Sequence, residues 1–242
     1  MVTDRNEGEL RVLMYHQIAK PKKDAKIKGL FTTPSQFEFH VKHLTKKGYN
    51  FTTFEEISNQ GLDKNRKNVV LTFDDGSNCF LKNAMPILRK YSVPAVVYVV
   101  AGEIGQKDVV FEESSNKTPI DLLTKEELRE LTKEGIEIGS HCVNHVHLAR
   151  KTKEVVETEL IESKKILEEV LGKRVYSIAY PFGNYNEEVM DVAQKSGYDW
   201  AVMTKAGSNV GRNRFELFRT PIRGYKLKHY LQFYKTVFGF SR

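Results

Sequence analysis

The stretch Val69-Val70-Leu71-Thr72-Phe73-Asp74-Asp75-Gly76 carries an apolar, β-branched run straight into two adjacent carboxylates and a glycine. A run of this kind reads as a buried strand, and the glycine marks a sharp turn after it. Neighbouring carboxylates repel, and they are usually kept together where a cation or a shared proton relieves the repulsion. Farther along, Ser140-His141-Cys142-Val143-Asn144-His145 sets two imidazoles four residues apart, again behind an apolar run. One Asp with two His makes a three-ligand set that leaves positions open for water, which is the layout of a catalytic metal. The second Asp is then free to act as a base. On a helix or helical turn, the spacing of His141 and His145 puts both imidazoles on one face.

Strands and helices alternate around these groups. Arg11–Tyr15 reads as a strand. Thr33, Pro34 and Gln36 read as an N-cap, a first-turn proline and a capping-box partner. The apolar spacing of Phe37, Val41 and Leu44 continues that helix to Gly48. Thr53 to Glu56 is a second capping box, and Val69–Phe73 a strand. Leu81–Tyr91 reads as a helix with Pro86 near its start or kinking it. Pro94–Val100 is a strand, and residues 101–122 a long polar loop. Thr124 caps a helix that Gly135 closes, and Ile136–Gly139 is a strand. Residues 153–171 form an amphipathic helix with Val156, Leu160, Ile161, Leu167 and Leu171 on its apolar stripe and Gly172 as C-cap. Val175–Tyr180 is a strand, Glu187–Lys195 a helix, Trp200–Met203 a strand and Leu227–Phe238 a final helix.

Such alternation predicts a mainly parallel sheet buried on both faces. The polar groups of interest follow at least four different strands: His16, Asp74 with Asp75, His141 with His145, and Tyr180-Pro181-Phe182-Gly183. A barrel gathers strand ends around one mouth, whereas an open sheet gathers only neighbours at a switch point. The expected fold is therefore α/β, a distorted (β/α) barrel with fewer than eight regular units, over a single domain of residues 1–242.

Composition sets limits on partners. At 40% hydrophobic and 29% charged, the chain has the make-up of a soluble globular protein. No apolar run approaches the length of about 18 residues that a membrane-spanning helix needs. Met1 to Glu9 lacks the apolar core of a signal peptide. The two cysteines, Cys79 and Cys142, make no disulfide framework. The net charge of +7 is scattered apart from Lys20-Pro21-Lys22-Lys23, and it reads as a solvated basic surface or an attraction to an anionic matrix. No nucleic-acid recognition motif accompanies it.

At these residues the chain resembles the polysaccharide deacetylase family, also called the NodB-homology or carbohydrate esterase 4 family. Thr72-Phe73-Asp74-Asp75-Gly76 matches its first motif in full. His141-Cys142-Val143-Asn144-His145 matches the second, with Cys in place of a hydroxyl residue. Tyr180-Pro181-Phe182-Gly183 looks like the core of the third, without the Arg that many members place just before it. The opening Val12-Leu13-Met14-Tyr15-His16 and the run Phe37–Ile57 are similar to a circularly permuted subgroup, the bacterial poly-N-acetylglucosamine deacetylases. There the His that usually closes the domain stands at its beginning.

The resemblance implies a role for each group. Asp75, His141 and His145 hold a divalent metal, zinc first, with cobalt, nickel or iron as alternatives. Asp74 is the general base, and Arg219 in Leu217-Phe218-Arg219-Thr220-Pro221 replaces the missing third-motif Arg, orienting Asp74 and keeping it ionised. The backbone N–H of Tyr180 stabilises the oxyanion. His16 is the catalytic acid, facing the metal from the side opposite Asp74. Leu227-Lys228-His229 also fits the usual closing motif, so His229 is the competing acid. The implied reaction is N-deacetylation of N-acetylglucosamine units in a cell-wall or extracellular polysaccharide or peptidoglycan, outside the cell or at its surface, with the cytoplasm left open. The alternatives are an esterase or amidase acting on acetylated xylan or a small imide, and a wall-binding protein without catalysis. Phe182 and Trp200 line a sugar groove or pack the core, the core being the better reading for Trp200.

Overall fold

In a computed structural model, residues 9–21, 23 and 25–238 are described. The Met1–Gly8 part of the stretch read for a leader lies outside them. Eight strands form one parallel sheet: β1 (Leu10–Tyr15), then β4 (Asn50–Phe51), β5 (Asn68–Phe73), β6 (Ala95–Val99), β7 (Ile136–Ser140), β8 (Ser177–Ala179), β9 (Trp200–Val202) and β10 (Thr220–Pro221). A separate parallel pair, β2 (Gln17–Ile18) with β3 (Phe31–Thr32), lies off it. The order along the sheet is β10-β1-β5-β6-β7-β8-β9, with β4 also on β5. The sheet curls into a half-barrel, as expected of a distorted (β/α) barrel. The edges approach through residues 214–219: Leu217 N–H donates to Ala201 O (3.1 Å) and Met203 N–H to Leu217 O (2.9 Å). Because every pairing is parallel, the C-terminal ends of the strands share one mouth.

The helices are α1 (Pro34–Lys46), α2 (Phe54–Gln60), α3 (Met85–Tyr91), α4 (Lys125–Lys133), α5 (Lys153–Leu171), α6 (Glu187–Lys195) and α7 (Lys228–Phe233). Alternation along the strands divides the core. One set, including Leu71, Val97, Ile138 and Ile178, packs with Val41, Leu131, Leu160 and Val192 of the helices. The other set, including Val12, Val70, Val96 and Val202, points inside the curl, where Phe54 and Ile57 of α2 join it. Helix α2 thus plugs the closed end. Trp200 belongs there, with its ring 5.8 Å from Phe54 and its indole N–H donating to Ser58 Oγ (2.8 Å).

Capping boxes at Thr53 and Thr124 are complete, with side chain and backbone bonded in both directions. The one expected at Thr33 is half made. Thr33 Oγ1 accepts from Gln36 N–H, but the Gln36 amide donates to Lys226 O (2.7 Å) and Thr33 N–H to Gly224 O (2.6 Å). Tertiary acceptors from the 224–226 strap have replaced the local ones. Ile161, assigned to the apolar stripe of α5, is 48% exposed. Its place inward is taken by buried Glu159 and Ser163. Pro86 lies in the first turn of α3, directly after a π-turn at Phe80–Ala84. The last helix gives way to another π-turn at Tyr234–Phe238.

Candidate active site

Strand β5 delivers Asp74 and Asp75 into the mouth, and the two residues face different partners. Asp74 N–H donates to Tyr15 O (3.0 Å), which ties the β5 end to β1. The Asp74 carboxylate receives Arg219 Nη1 and Nη2 at 2.5 and 2.8 Å. Arg219 comes from the segment before β10 and is fully buried. Its Nε donates to Met203 O (3.0 Å) and its Nη1 also to Thr72 Oγ1 (3.2 Å). Burial by itself would raise the Asp74 pKa. The Arg219 charge, with His141 and His16, overrides that and holds it at about 2.

Among the described residues no Lys or Arg pairs with Asp75. Its backbone is left-handed, with φ of 73°, followed by Gly76 at 69°. The turn swings its carboxylate toward the two imidazoles, 3.6 Å from His145 Nε2 and 3.9 Å from His141 Nε2. Burial pushes the Asp75 pKa up, and it pushes both imidazoles down, His145 to about 2. Neutral imidazoles around a buried carboxylate that lacks a counter-charge are the donor set a divalent cation satisfies. One ligand atom from each of the three residues lies within 4.8 Å of the others. Ligands about 2.1 Å from a tetrahedral zinc stand roughly 3.4 Å apart, so the pocket fits an ion with small inward movement.

The segment carrying both histidines is not a helical turn. Cys142 and His145 have φ of 66° and 53°, and no helix spans 141–145. Glu159 of α5 decides this conformation. Its Oε2 accepts Val143 N–H (2.8 Å) and Asn144 N–H (3.0 Å), and its Oε1 accepts the Asn144 amide (2.7 Å). These bonds replace the helical ones and aim both rings at Asp75. Sequence reasoning missed Glu159, although a carboxylate three residues after Val156 on the buried stripe of a helix was a signal. His141 Nδ1 meets Ala179 O at 2.7 Å, which leaves Nε2 to face Asp75. His145 is held by rings, stacked on Phe111 (4.4 Å) and edge-on to Phe182 (4.6 Å). Phe111 comes from the 101–122 loop, which Glu113 anchors to Lys151 Nζ and His147 N–H (both 2.6 Å). Ser140 Oγ donates to Ser163 Oγ and accepts from Cys142 N–H, a supporting role.

His16 follows β1 and lies at the same mouth, its Nε2 3.8 Å from Asp74 Oδ2. The two groups are neighbours, too close to stand on opposite sides of a carbonyl as expected. The β1–β5 register, Tyr15 opposite Phe73, is the reason: it sets residues 16 and 74 side by side. His229 is elsewhere. Its Nδ1 accepts Tyr225 N–H (3.1 Å) and Lys226 N–H (3.2 Å), and it does not line the cavity.

Tyr180 does not carry the expected role. Its N–H donates to Val202 O (3.1 Å) and its hydroxyl to Phe215 O (3.1 Å), because β8 and β9 pair this far. Pro181 has no N–H. The next is that of Phe182, a cavity-lining residue at φ of 60°. Of the six non-glycine residues with positive φ among those described, Asp75, Cys142, His145 and Phe182 all belong to this site. Such concentration of strained backbone is typical of functional sites. The cavity over them is about 290 Å³, with Met14, Thr204 and Ile222 among its walls.

Comparison with known proteins agrees with this geometry. The profile of the family described as polysaccharide deacetylase matches residues 61–201. YxkH of Bacillus subtilis strain 168 is 32% identical over 204 residues, 83% of this chain and 66% of the relative. The chain thus spans just under two thirds of that relative's length. A poly-β-1,6-N-acetyl-D-glucosamine N-deacetylase of Staphylococcus aureus is 28% identical over 224 residues, 83% of this chain and 74% of the enzyme. The solved structure of the Streptococcus pyogenes deacetylase PplD, in complex with acetate, is similar at a TM-score of 0.76 with 28% identity, over 93% of this chain and 97% of that one.

Proposed function

Since the chain belongs to the polysaccharide deacetylase family, we propose that it is a metal-dependent hydrolase. In this reading it removes N-acetyl groups from N-acetylglucosamine units of a cell-wall or extracellular polysaccharide, at or outside the cell surface. The relative named for poly-β-1,6-N-acetyl-D-glucosamine supports the sugar, and the acetate in the streptococcal structure supports acetate as the acyl product.

Asp75, His141 and His145 are the residues that would hold the ion, with zinc favoured by the donor set and cobalt, nickel or iron also suited. A divalent ion there would supply Lewis acidity toward the acetyl carbonyl and a lower pKa for water. Asp74 accepts the proton of the attacking water. Arg219 keeps Asp74 ionised and fixes which lone pairs face the cavity. Phe182 N–H, in place of Tyr180, donates to the developing oxyanion. His16 gives its proton to the leaving nitrogen, since amines depart slowly as anions. Its place beside Asp74 lets the nitrogen collect that proton on the side where the water lost one.

The observation that carries this reading is the contrast within one dipeptide: Asp74 forked onto a buried arginine, Asp75 turned toward two neutral imidazoles. Acetate release from N-acetylglucosamine oligomers and peptidoglycan, with and without chelator, tests it. Chelator-sensitive acetate is expected. Release only from acetylated xylan or a small imide would transfer the activity to another substrate, and tight polymer binding without any acetate would make the protein a wall-binding module.

A further inference from the structure

One cation at the cavity has no counter-charge among the described residues. Arg223 lines the same cavity as Asp74, Asp75 and His16, and it takes part in no ion pair or hydrogen bond of its side chain among the described residues. The cavity's acidic groups are both committed, Asp74 to Arg219 and Asp75 to the histidines. The backbone on either side of Arg223 is pinned: Ile222 N–H donates to Met14 O (2.9 Å), Gly224 N–H to Phe31 O (3.2 Å), and Gly224 O accepts Thr33 N–H (2.6 Å). The side chain lies flat against Gly29, where a Cβ would meet Nε at 3.3 Å and Cζ at 3.5 Å. Nearby charge has the same sign, for the His229 pKa is lowered first by burial and then by Lys228, Lys226 and Arg223.

An exposed guanidinium at a cavity, carried on a pinned backbone and without a partner among the described residues, is a receptor for a planar or tetrahedral oxyanion. We propose that Arg223 selects polymers in which the N-acetylglucosamine unit undergoing hydrolysis is next to an anionic group, a carboxylate or a phosphate. This rests on the deacetylase reading above and narrows its substrate class. It also disfavours a substrate already rich in glucosamine, whose ammonium groups would meet Arg223 with like charge.

Three oligomers of equal length test it: neutral β-linked N-acetylglucosamine, the same backbone with alternate residues carrying a lactyl carboxylate, and the same backbone bearing a glycerol phosphodiester. The intact chain should favour at least one anionic oligomer over the neutral one by roughly tenfold in kcat/KM, about the value of one charge-assisted contact. Arg223→Gln should collapse that ratio through KM rather than kcat, and Arg223→Lys should restore part of it. The two anionic arms separate carboxylate from phosphate. Calorimetric Kd values for the same oligomers are independent of turnover. An anion preference in Kd that Arg223→Gln abolishes upholds the inference even if no acetate is released, a result that would sink only the deacetylase reading. Equal affinity for all three oligomers, or a preference that survives Arg223→Gln, overturns it.

Discussion

Arg219 and Asp74, 145 residues apart in the chain, meet fork to fork inside the barrel mouth, with both carboxylate oxygens engaged at 2.5 and 2.8 Å and the guanidinium fully buried. The pair has two consequences, one for stability and one for the Asp74 carboxylate. Removing one partner of a buried pair leaves an uncompensated charge, which costs about 3–5 kcal/mol. Arg219→Met should therefore lower the melting temperature sharply. It should also shift the acid limb of kcat/KM upward, because Asp74 loses the charge that holds it near 2. The sign is that of a depressed carboxylate: the pair's stabilisation is full above the unfolded pKa of about 3.9 and is lost as pH falls through about 2. Acid titration of both proteins by circular dichroism, beside rate profiles, checks the two effects separately.

Asp74→Asn should reduce turnover by about 10²–10⁴ while metal content stays near normal. Elemental analysis of the purified variant is the deciding measurement. Loss of metal together with activity would make Asp74 a ligand.

Metal should bind in a ratio of one per chain, and Asp75→Asn or His145→Ala should abolish that binding. Spectroscopy of a cobalt-substituted protein would report both imidazoles as ligands. A cobalt spectrum unchanged by His145→Ala would remove that residue from the site.

His16→Ala should cost about 10²–10⁴ in kcat with little change in metal affinity. His229→Ala should instead lower stability, because Tyr225 and Lys226 lose the acceptor of their N–H groups. If the two variants exchange these phenotypes, the acid is His229.

Glu137 gives a pH dependence away from the chemistry. It is buried inside the closed end, accepting Glu55 N–H (2.8 Å) at the start of α2 and the Ser177 hydroxyl (2.7 Å). Burial raises its pKa from 4.5 to about 7, against the lowering effect of those bonds. The folded state therefore holds a proton that the unfolded state releases. Stability is greatest below about 4.5 as far as this group is concerned, and it declines as pH rises from there to about 7, by roughly 3–4 kcal/mol at about 1.4 per unit. Glu137→Gln should flatten that decline in urea melts taken between pH 5 and pH 8.

The candidate site was legible in the sequence because it sits in short contiguous words. A strand ending in Asp74-Asp75-Gly76 and a His141-x-x-x-His145 pair name the candidate ligands, and strand–helix alternation implies the parallel half-barrel that brings strand ends together. Burial decided what words of that length leave open. Only the register of β1 on β5 sets His16 beside Asp74, and only the approach of residues 214–219 to both sheet edges inserts Arg219 there. Pairing of β8 with β9 took the Tyr180 N–H that the family resemblance implied for the oxyanion, since a backbone donor inside a sheet finds an acceptor before it finds a substrate. Glu159 unwound the 141–145 segment that spacing alone read as a possible turn of helix, by offering three hydrogen bonds from a neighbouring element. Residue types determine which chemistry is available. Which atoms are left free to perform it is decided by hydrogen-bond competition between segments distant in sequence.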